Sequence, residues 1–547
     1  MNCGAIRCPD EGRIAMKELV VSELSKEQKL GLLICADLTY QRQELDYVIE
    51  LIREHKVGGV WIQPTRPDWE NTLRRVREAA DYPILIFCDC ENGFWDAKIP
   101  DVNAFGAARD GEKAAFAFGR KTGAMLRNLG YNVVCNPIID LVSDRSYPCG
   151  GNTRSFGPDK TLVARLGGAM ARGMHEGGVM TVGKHYPFRR SDTPYDTHMR
   201  EGYCTLTKED LCGEAMYALR ELMKEDLLDG LMTGHMRLPM IDPDEPASLS
   251  GPVIDIAREL GFDGFLITDA LNMMGILSKH GRREPVAKAI AAGNDIPLNM
   301  GLSFRESYEG LIEAYDAGRV RDDMVDVALR RVLTAQHKAA MLPAHSPEYP
   351  EDTEEIARVA RDSISARVEE GLTPNISRDG RHLFTIVTNE RADDFSEEYT
   401  PGPRDWFFPR RIATRLLELF PNSEVVFHPL FPEGVDNAPY FGKQRGFDDV
   451  VFITNYQSAA YVGREHLTTR IVDLMDALQS TDRIIAHLHY GNPYVAADAP
   501  YVPRVLLGYS SEACVMHGLE ILAGNAPAVG KCPYTINFHK KGDFIID

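Results

Sequence analysis

Eight short apolar runs punctuate the first part of the chain: Leu32–Ala36, Val57–Ile62, Ile84–Cys88, Asn132–Pro137, Val179–Gly183, Gly230–Thr233, Phe265–Thr268 and Asp295–Leu298. None alternates strictly with polar residues, which is the pattern of strands buried on both faces. Amphipathic segments separate most of them. After Asp159, the residues Leu162, Val163, Leu166, Ala169 and Met170 recur at helical spacing, and Ser25 with Gln28 three residues on forms a capping-box pattern. Repeated βα units of this kind predict a TIM-type (β/α)8 barrel with long loops.

The pattern then breaks. Met341–Asp352 is rich in proline and acidic residues, as a linker start would be, and a helical segment is expected from about Glu354 to Glu370. Beyond it, Leu383–Thr388, Glu424–His428, Val450–Thr454, Ile484–Leu488 and Arg504–Leu507 read as buried strands. Helical patterns such as Leu467–Leu478 and Ala513–Leu522 lie between them, which predicts a smaller doubly wound α/β sandwich. The expected organisation is a catalytic barrel over 1–343, a linker and connecting helix over 344–380, and a C-terminal α/β domain over 381–547.

Composition narrows the class. The chain has 547 residues, 44% hydrophobic and 26% charged, ample for more than one core. A net charge of −19 argues against nucleic acid or an anionic membrane as a partner. No apolar stretch reaches the roughly 18 residues needed to span a bilayer. Met1–Asp10 lacks the continuous apolar segment of a secretory signal. The eleven cysteines are odd in number and scattered, as in reduced thiols of a cytoplasmic protein. Cys88-Asp89-Cys90 does not have zinc-ligand spacing, and no metal or other cofactor is expected.

Candidate chemistry gathers at the ends of the barrel runs. The third run leads to Asp89 and Glu91, and the fourth to Asp140 and then Arg154. The fifth delivers Lys184, His185, Asp196 and His198, the sixth His235 and the seventh Asp269. Carboxylates and histidines at a common strand-end face suit a reaction. On this logic alone Asp269 is an acid, a base, a metal ligand or a nucleophile. In Asp196-Thr197-His198 the carboxylate can fix the imidazole tautomer and raise its basicity, although a solvated loop pair is the ordinary reading of such a triplet.

The ordered blocks around these residues resemble glycoside hydrolase family 3, particularly its β-N-acetylglucosaminidase branch. They include Asn136-Pro137 with Asp140-Leu141, Arg154-Ser155-Phe156-Gly157, Lys184-His185-Tyr186-Pro187, and Asp192-Thr193 with Asp196-Thr197-His198. Met232-Thr233-Gly234-His235, Pro246–Ser250, Gly261–Gly264 and Ile267–Leu271 continue the series; Gly491–Tyr494 and Leu522–Pro527 with Gly530-Lys531 carry it into the second domain. The resemblance implies a retaining, exo-acting β-glycosidase, foremost a β-N-acetylhexosaminidase, acting on a small carbohydrate. It implies Asp269 as nucleophile and His198, paired with Asp196, as acid/base. It further implies that Asp89, Arg154, Lys184 and His185 hold the sugar, and that His235 lines the floor unless it is a satisfied core histidine.

Two departures fall at the sugar or its leaving group. Phe188-Arg189-Arg190-Ser191 replaces the branch's Gly-His-Gly, and Asp89–Trp95 replaces an Asp-x-Glu-Gly-Gly-Arg pattern. Arg189 and Arg190 could meet an anionic group on the substrate, or be two solvated loop arginines. Phe94 and Trp95 could stack on a sugar face or simply pack. A phosphorylase is the alternative for the same dyad, because imidazole does not repel phosphate as a carboxylate would. A metal-dependent hydrolase with His185, His198, His235 and Asp269 as ligands is the alternative from another class. For the second domain, capping the barrel, forming a homodimer and adding stability are all open roles.

Overall fold

The computed structural model describes residues 16–142, 151–188, 192–193, 195–388, 406–456, 460–461 and 466–543. The described residues form two compact units. One contains the chain up to residue 97 together with 115–142 and 159–353; the other contains 98–114, the described part of 143–158, and the chain from 354 onward.

The first unit is the TIM-type barrel. Its all-parallel sheet runs in sequence order through β1 (Cys35–Asp37), β2 (Gly59–Trp61), β3 (Leu85–Cys88), β4 (Val133–Val134), β5 (Met180–Tyr186), β6 (Gly230–Thr233) and β7 (Phe265–Thr268). Every residue in these strands is buried, which explains the unbroken apolar runs.

The eighth run, Asp295–Leu298, does not become a ladder strand. A single parallel bridge pairs Leu298 with Cys35. The Cys35 N–H donates to Pro297 O at 3.1 Å, and Ile296 N–H donates to Leu266 O at 3.0 Å. The segment therefore sits between β7 and β1 and closes the ring. Pro297 has no N–H to donate, so a regular ladder cannot pass through it.

The fourth run is shortened for a related reason. Regular pairing stops at Val134, and a cis Asn136–Pro137 bond follows. The chain still tracks β5: Lys184 N–H donates to Pro137 O at 3.1 Å and Ile139 N–H to Lys184 O at 2.9 Å. This continuation carries Asp140 alongside His185.

Helices surround the sheet as their apolar spacing requires. Helix α1 (Lys160–Glu176) buries Val163, Leu166, Ala169 and Met170, and its N-cap Asp159 accepts from Thr161 N and Leu162 N, both at 2.8 Å. Such a cap stabilises by about 1 kcal/mol. The capping box at Ser25 and Gln28 forms with both reciprocal bonds. At the strands' N-terminal ends, buried Asp295 takes Arg258 Nη2 at 2.8 Å and Arg331 Nη1 at 3.3 Å, so its charge is paired away from the strand tips. The proline-rich stretch after residue 341 is tied down within this unit, where Ser346 and Asn128 exchange hydrogen bonds of 2.8 and 3.0 Å.

The second unit is the doubly wound sandwich. Its strands are β8 (Ser365–Val368), β9 (His382–Thr388), β10 (Glu424–Pro429), β11 (Asp449–Tyr456), β12 (Ile484–Gly491) and β13 (Arg504–Gly508). Their spatial order is β10-β9-β11-β12-β13-β8. The five parallel strands thus follow a 2-1-3-4-5 winding, one of the two common doubly wound orders. The expected long helix from Glu354 to Glu370 is corrected: the helix spans Glu351–Asp362, and β8 pairs antiparallel with β13. Ala366 and Arg367 are good helix formers, but covering the open edge of β13 outweighs that local preference.

Candidate active site

Backbone-anchored polar contacts build the C-terminal face of the barrel. One set begins at Asp37, the last residue of β1, whose buried carboxylate accepts from the N–H groups of Thr39 (2.8 Å), Tyr40 (3.1 Å) and Gly301 (2.9 Å). Thr39 Oγ1 accepts from Gln63 N at 2.9 Å, and the Gln63 amide brackets the Asp89 backbone, donating to its O at 3.0 Å and accepting from its N at 3.2 Å. A chain of polar contacts across three strand tips therefore fixes where Asp89 sits. Neither Thr39 nor Gln63 stands out in the sequence.

Lys184 lies near the end of β5 and is 2% exposed. Its ammonium meets Asp89 Oδ1 at 2.5 Å and Glu91 Oε1 at 2.7 Å. A buried cation needs such partners. Two carboxylates on one ammonium also leave acceptor capacity that can reach ligand hydroxyls, since Asp89 is 38% exposed. Glu91, noted only as a strand-tip carboxylate in the sequence, completes this trio.

His185 follows directly, across a cis peptide bond. Its backbone N–H donates to Asp140 Oδ1 at 2.7 Å and its ring Nδ1 meets Asp140 Oδ2 at 2.8 Å. Both side chains are buried. The remaining polar edge of the ring is Nε2.

His198 and Asp196 repeat the arrangement on a loop. Asp196 Oδ1 accepts from His198 N at 2.9 Å and pairs with Nδ1 at 2.8 Å. The carboxylate side chain is fully buried, whereas the imidazole is 22% exposed, so the dyad has a fixed inner partner and an accessible ring. The loop is held from outside: Met274 N–H donates to His198 O at 3.2 Å and Gly275 N–H to Thr197 O at 3.0 Å. A Cβ on Gly275 would lie 3.0 Å from Thr197 O, so glycine permits this approach.

Asp269 stands at the tip of β7. Its N–H donates to Thr233 O at 2.8 Å, and its Oδ1 accepts from Ala270 N at 2.8 Å. Burial alone would push its carboxyl up. The opposing influence of His185, His235 and His198, with the Ala270 N–H, holds it well below the usual carboxylate range. The same histidines are therefore close enough to act on it electrostatically. His235 is fully buried and engages both ring nitrogens, Nδ1 with Ser248 Oγ at 2.8 Å and Nε2 with Ala270 O at 2.9 Å. Its ring nitrogens are thus engaged by a hydroxyl and a backbone carbonyl rather than by a carboxylate. It braces the backbone beside Asp269.

The barrel thus brings together Asp89, Lys184, His185, Asp196, His198, His235 and Asp269, all at or just beyond strand ends. Arg154 is carried by the second unit, at the end of the short helix Gly151–Arg154. Arg189 and Arg190 lie outside the described residues. Trp95 is 47% exposed with φ +48°, and its ring lies 5.6 Å from Phe94 and 6.4 Å from Trp69; Phe94 is buried. Among the described residues, no group of three or more His, Cys, Asp or Glu side chains is arranged to hold a metal ion, and no helix is long and apolar enough to cross a membrane.

Residues 25–335 match the family model described as the glycosyl hydrolase family 3 N terminal domain. A beta-N-acetylglucosaminidase/beta-glucosidase from Cellulomonas fimi is 24% identical over 565 residues, covering 96% of this chain and 96% of that protein. Beta-hexosaminidase LpqI of Mycobacterium tuberculosis is 31% identical over 223 residues, 39% of this chain and 56% of that one. Among solved structures, a family 3 β-N-acetylglucosaminidase from Paenibacillus sp. str. FPU-7 superposes with TM-score 0.76 at 24% identity, covering 94% of this chain and 100% of the other. Beta-glucoside phosphorylase BglX gives 0.78 at 22% identity, covering 94% of each. These structural likenesses speak for the fold. The family match spans more than half of the chain, from before β1 to beyond Asp269, so the protein belongs to glycosyl hydrolase family 3 and is a glycosidase.

Proposed function

We propose that the protein is a retaining, exo-acting β-glycosidase whose preferred substrate is a β-N-acetylhexosaminide. The observation that carries this reading is an ionised Asp269 within electrostatic reach of an accessible imidazole, His198, already paired through Nδ1 with a buried carboxylate. In the first step Asp269 attacks the anomeric carbon. The glycosidic C–O bond breaks as His198 Nε2 gives its proton to the departing oxygen. In the second step the neutral imidazole takes a proton from water, whose oxygen displaces Asp269, and two inversions give net retention. Asp196 fixes the tautomer and offsets the positive charge on His198 while it holds the proton.

Sugar recognition falls to Asp89, Glu91, Lys184 and His185, whose charge-assisted hydrogen bonds suit a desolvated ring of hydroxyls. By the family resemblance Arg154 is a further candidate, and Arg189 and Arg190 would serve an anionic substituent. The N-acetyl preference is supported by the names of the Cellulomonas, Mycobacterium and Paenibacillus relatives. Release of p-nitrophenol from the N-acetylglucosaminide, lost in Asp269→Ala, tests it. Turnover of plain glucosides with the N-acetyl compound untouched would reject the sugar assignment.

Phosphorolysis is the second reading, favoured by the imidazole acid/base and by the fold shared with a β-glucoside phosphorylase. Phosphate is already anionic and needs no base, and imidazole does not repel it. Product identity decides: sugar 1-phosphate at saturating phosphate supports this reading, and free sugar alone rejects it. The metal-hydrolase alternative finds less support, since His235, one of its four ligands, has both nitrogens committed to the protein.

A further inference from the structure

We propose that Asp140 is a positioning residue of this centre: it clamps His185 at two points, keeps that imidazole protonated, and so maintains a standing cation beside the nucleophile. The inference rests on the reading of Asp269 as nucleophile. Its role is exercised through His185.

The clamp is geometric. Asp140 is 2% exposed and His185 4% exposed. One carboxylate oxygen takes the His185 backbone N–H at 2.7 Å and the other takes ring Nδ1 at 2.8 Å, so the ring's position and its proton are fixed together. The clamp is anchored by the strand continuation: Ile138 bridges Lys184, and Ile139 N–H donates to Lys184 O at 2.9 Å. Asp140 therefore cannot shift without moving the β4–β5 junction.

The charges around Asp269 single out His185. From β6, His235 bonds to a hydroxyl and a backbone carbonyl, those of Ser248 and Ala270, and not to a carboxylate. On the β5 loop, His198 must lose and regain its proton during turnover, so its charge cannot be constant. Lys184 is compensated by Asp89 and Glu91 from the β3 loop. Cys135, beyond β4, is a buried thiol held in its neutral form, its pKa pushed well up by burial. Of the three histidines that act on Asp269, His185 is the one bonded to a buried carboxylate and given no part in the proton transfer. Among the charges that lower Asp269, its influence is the largest.

Asp140→Asn tests this at nearly constant volume. An amide presents N–H toward Nδ1 and favours a neutral His185. Nitrogen-15 NMR of histidine-labelled full-length protein, with His185 assigned through His185→Gln, should show His185 doubly protonated at pH 7 in the parent chain and neutral in Asp140→Asn. With the preferred glycoside, Asp269 in this variant loses a charge that helps keep it ionised. The rate should drop about 10- to 100-fold, as for other supporting partners of a reacting group, with KM changing less. A folded Asp140→Asn protein in which His185 stays doubly protonated at pH 7 overturns the proposal. A neutral His185 in the parent chain at pH 7 also overturns it, and needs no variant to fold. If the parent chain turns over no glycoside, the functional reading fails, while the NMR result still decides the role of Asp140.

Discussion

Asp269 and His198 carry opposite demands: the carboxylate must stay ionised to attack, and the imidazole must hold a proton yet release it. Their surroundings meet both, three histidines around the one and a buried carboxylate behind the other. Asp196→Asn should lower kcat about 10²- to 10⁴-fold, the usual range for lost acid–base assistance. The loss should be smaller with a 2,4-dinitrophenyl leaving group, which departs without a proton. Equal loss on both leaving groups would mean that Asp196 does not serve proton transfer. Asp269, Lys184 and His185 are suggested by their types and strand-end positions, whereas Asp196 and His198 stand out only through the family resemblance. Thr39 and Gln63 carry neither signal. They are ordinary polar residues, and their part in placing Asp89 exists only once β1, β2 and β3 are in register.

At the scale of elements, the loop bearing His198 is positioned by a helix start on the next-but-one strand unit as well as by its own Asp196. Gly275→Val should push Thr197 away, because even a Cβ reaches 3.0 Å from its carbonyl oxygen. The expected outcome is a loss of kcat/KM of about tenfold or more, as for other small misplacements of reacting groups, with only a modest change in melting temperature. A kcat/KM equal to that of the parent would show that the contact does not set the loop. Asp159→Ala, by contrast, removes a helix cap and should cost about 1 kcal/mol in denaturant unfolding; an unchanged midpoint would show that the cap contributes nothing. Strand positions were readable from unbroken apolar runs. The failures have physical causes: Pro297 denies the eighth run a ladder, and β8 owes its form to the distant edge of β13.

Over the whole molecule, stability against pH links the second unit to a measurable quantity. In its core, His489 Nε2–H donates to Asn492 O, Thr454 Oγ1 donates to His489 Nδ1, and His487 Nε2–H donates to Thr454 Oγ1. His487 Nδ1 is left buried without a hydrogen-bond partner among the described residues. Burial, with His489 beside it, pushes the His487 pKa down to about 3. The unfolded chain takes up that proton near 6.5 and the folded chain does not, so stability falls as pH drops from about 6.5 towards 3. His487→Leu should flatten this part of the denaturation-midpoint profile; an unchanged slope would show that His487 does not govern it. Two-unit architecture and barrel class were visible in the order of runs, whereas this proton chain depends on β11 and β12 lying side by side. The central claim, a covalent glycosyl-enzyme on Asp269, is tested most directly by mass spectrometry after incubation with 5-fluoro-glycosyl fluorides of N-acetylglucosamine and glucose. The account predicts one glycosyl adduct per chain, mapped to Asp269. An adduct on another residue, or turnover with inverted product and no adduct, would contradict it.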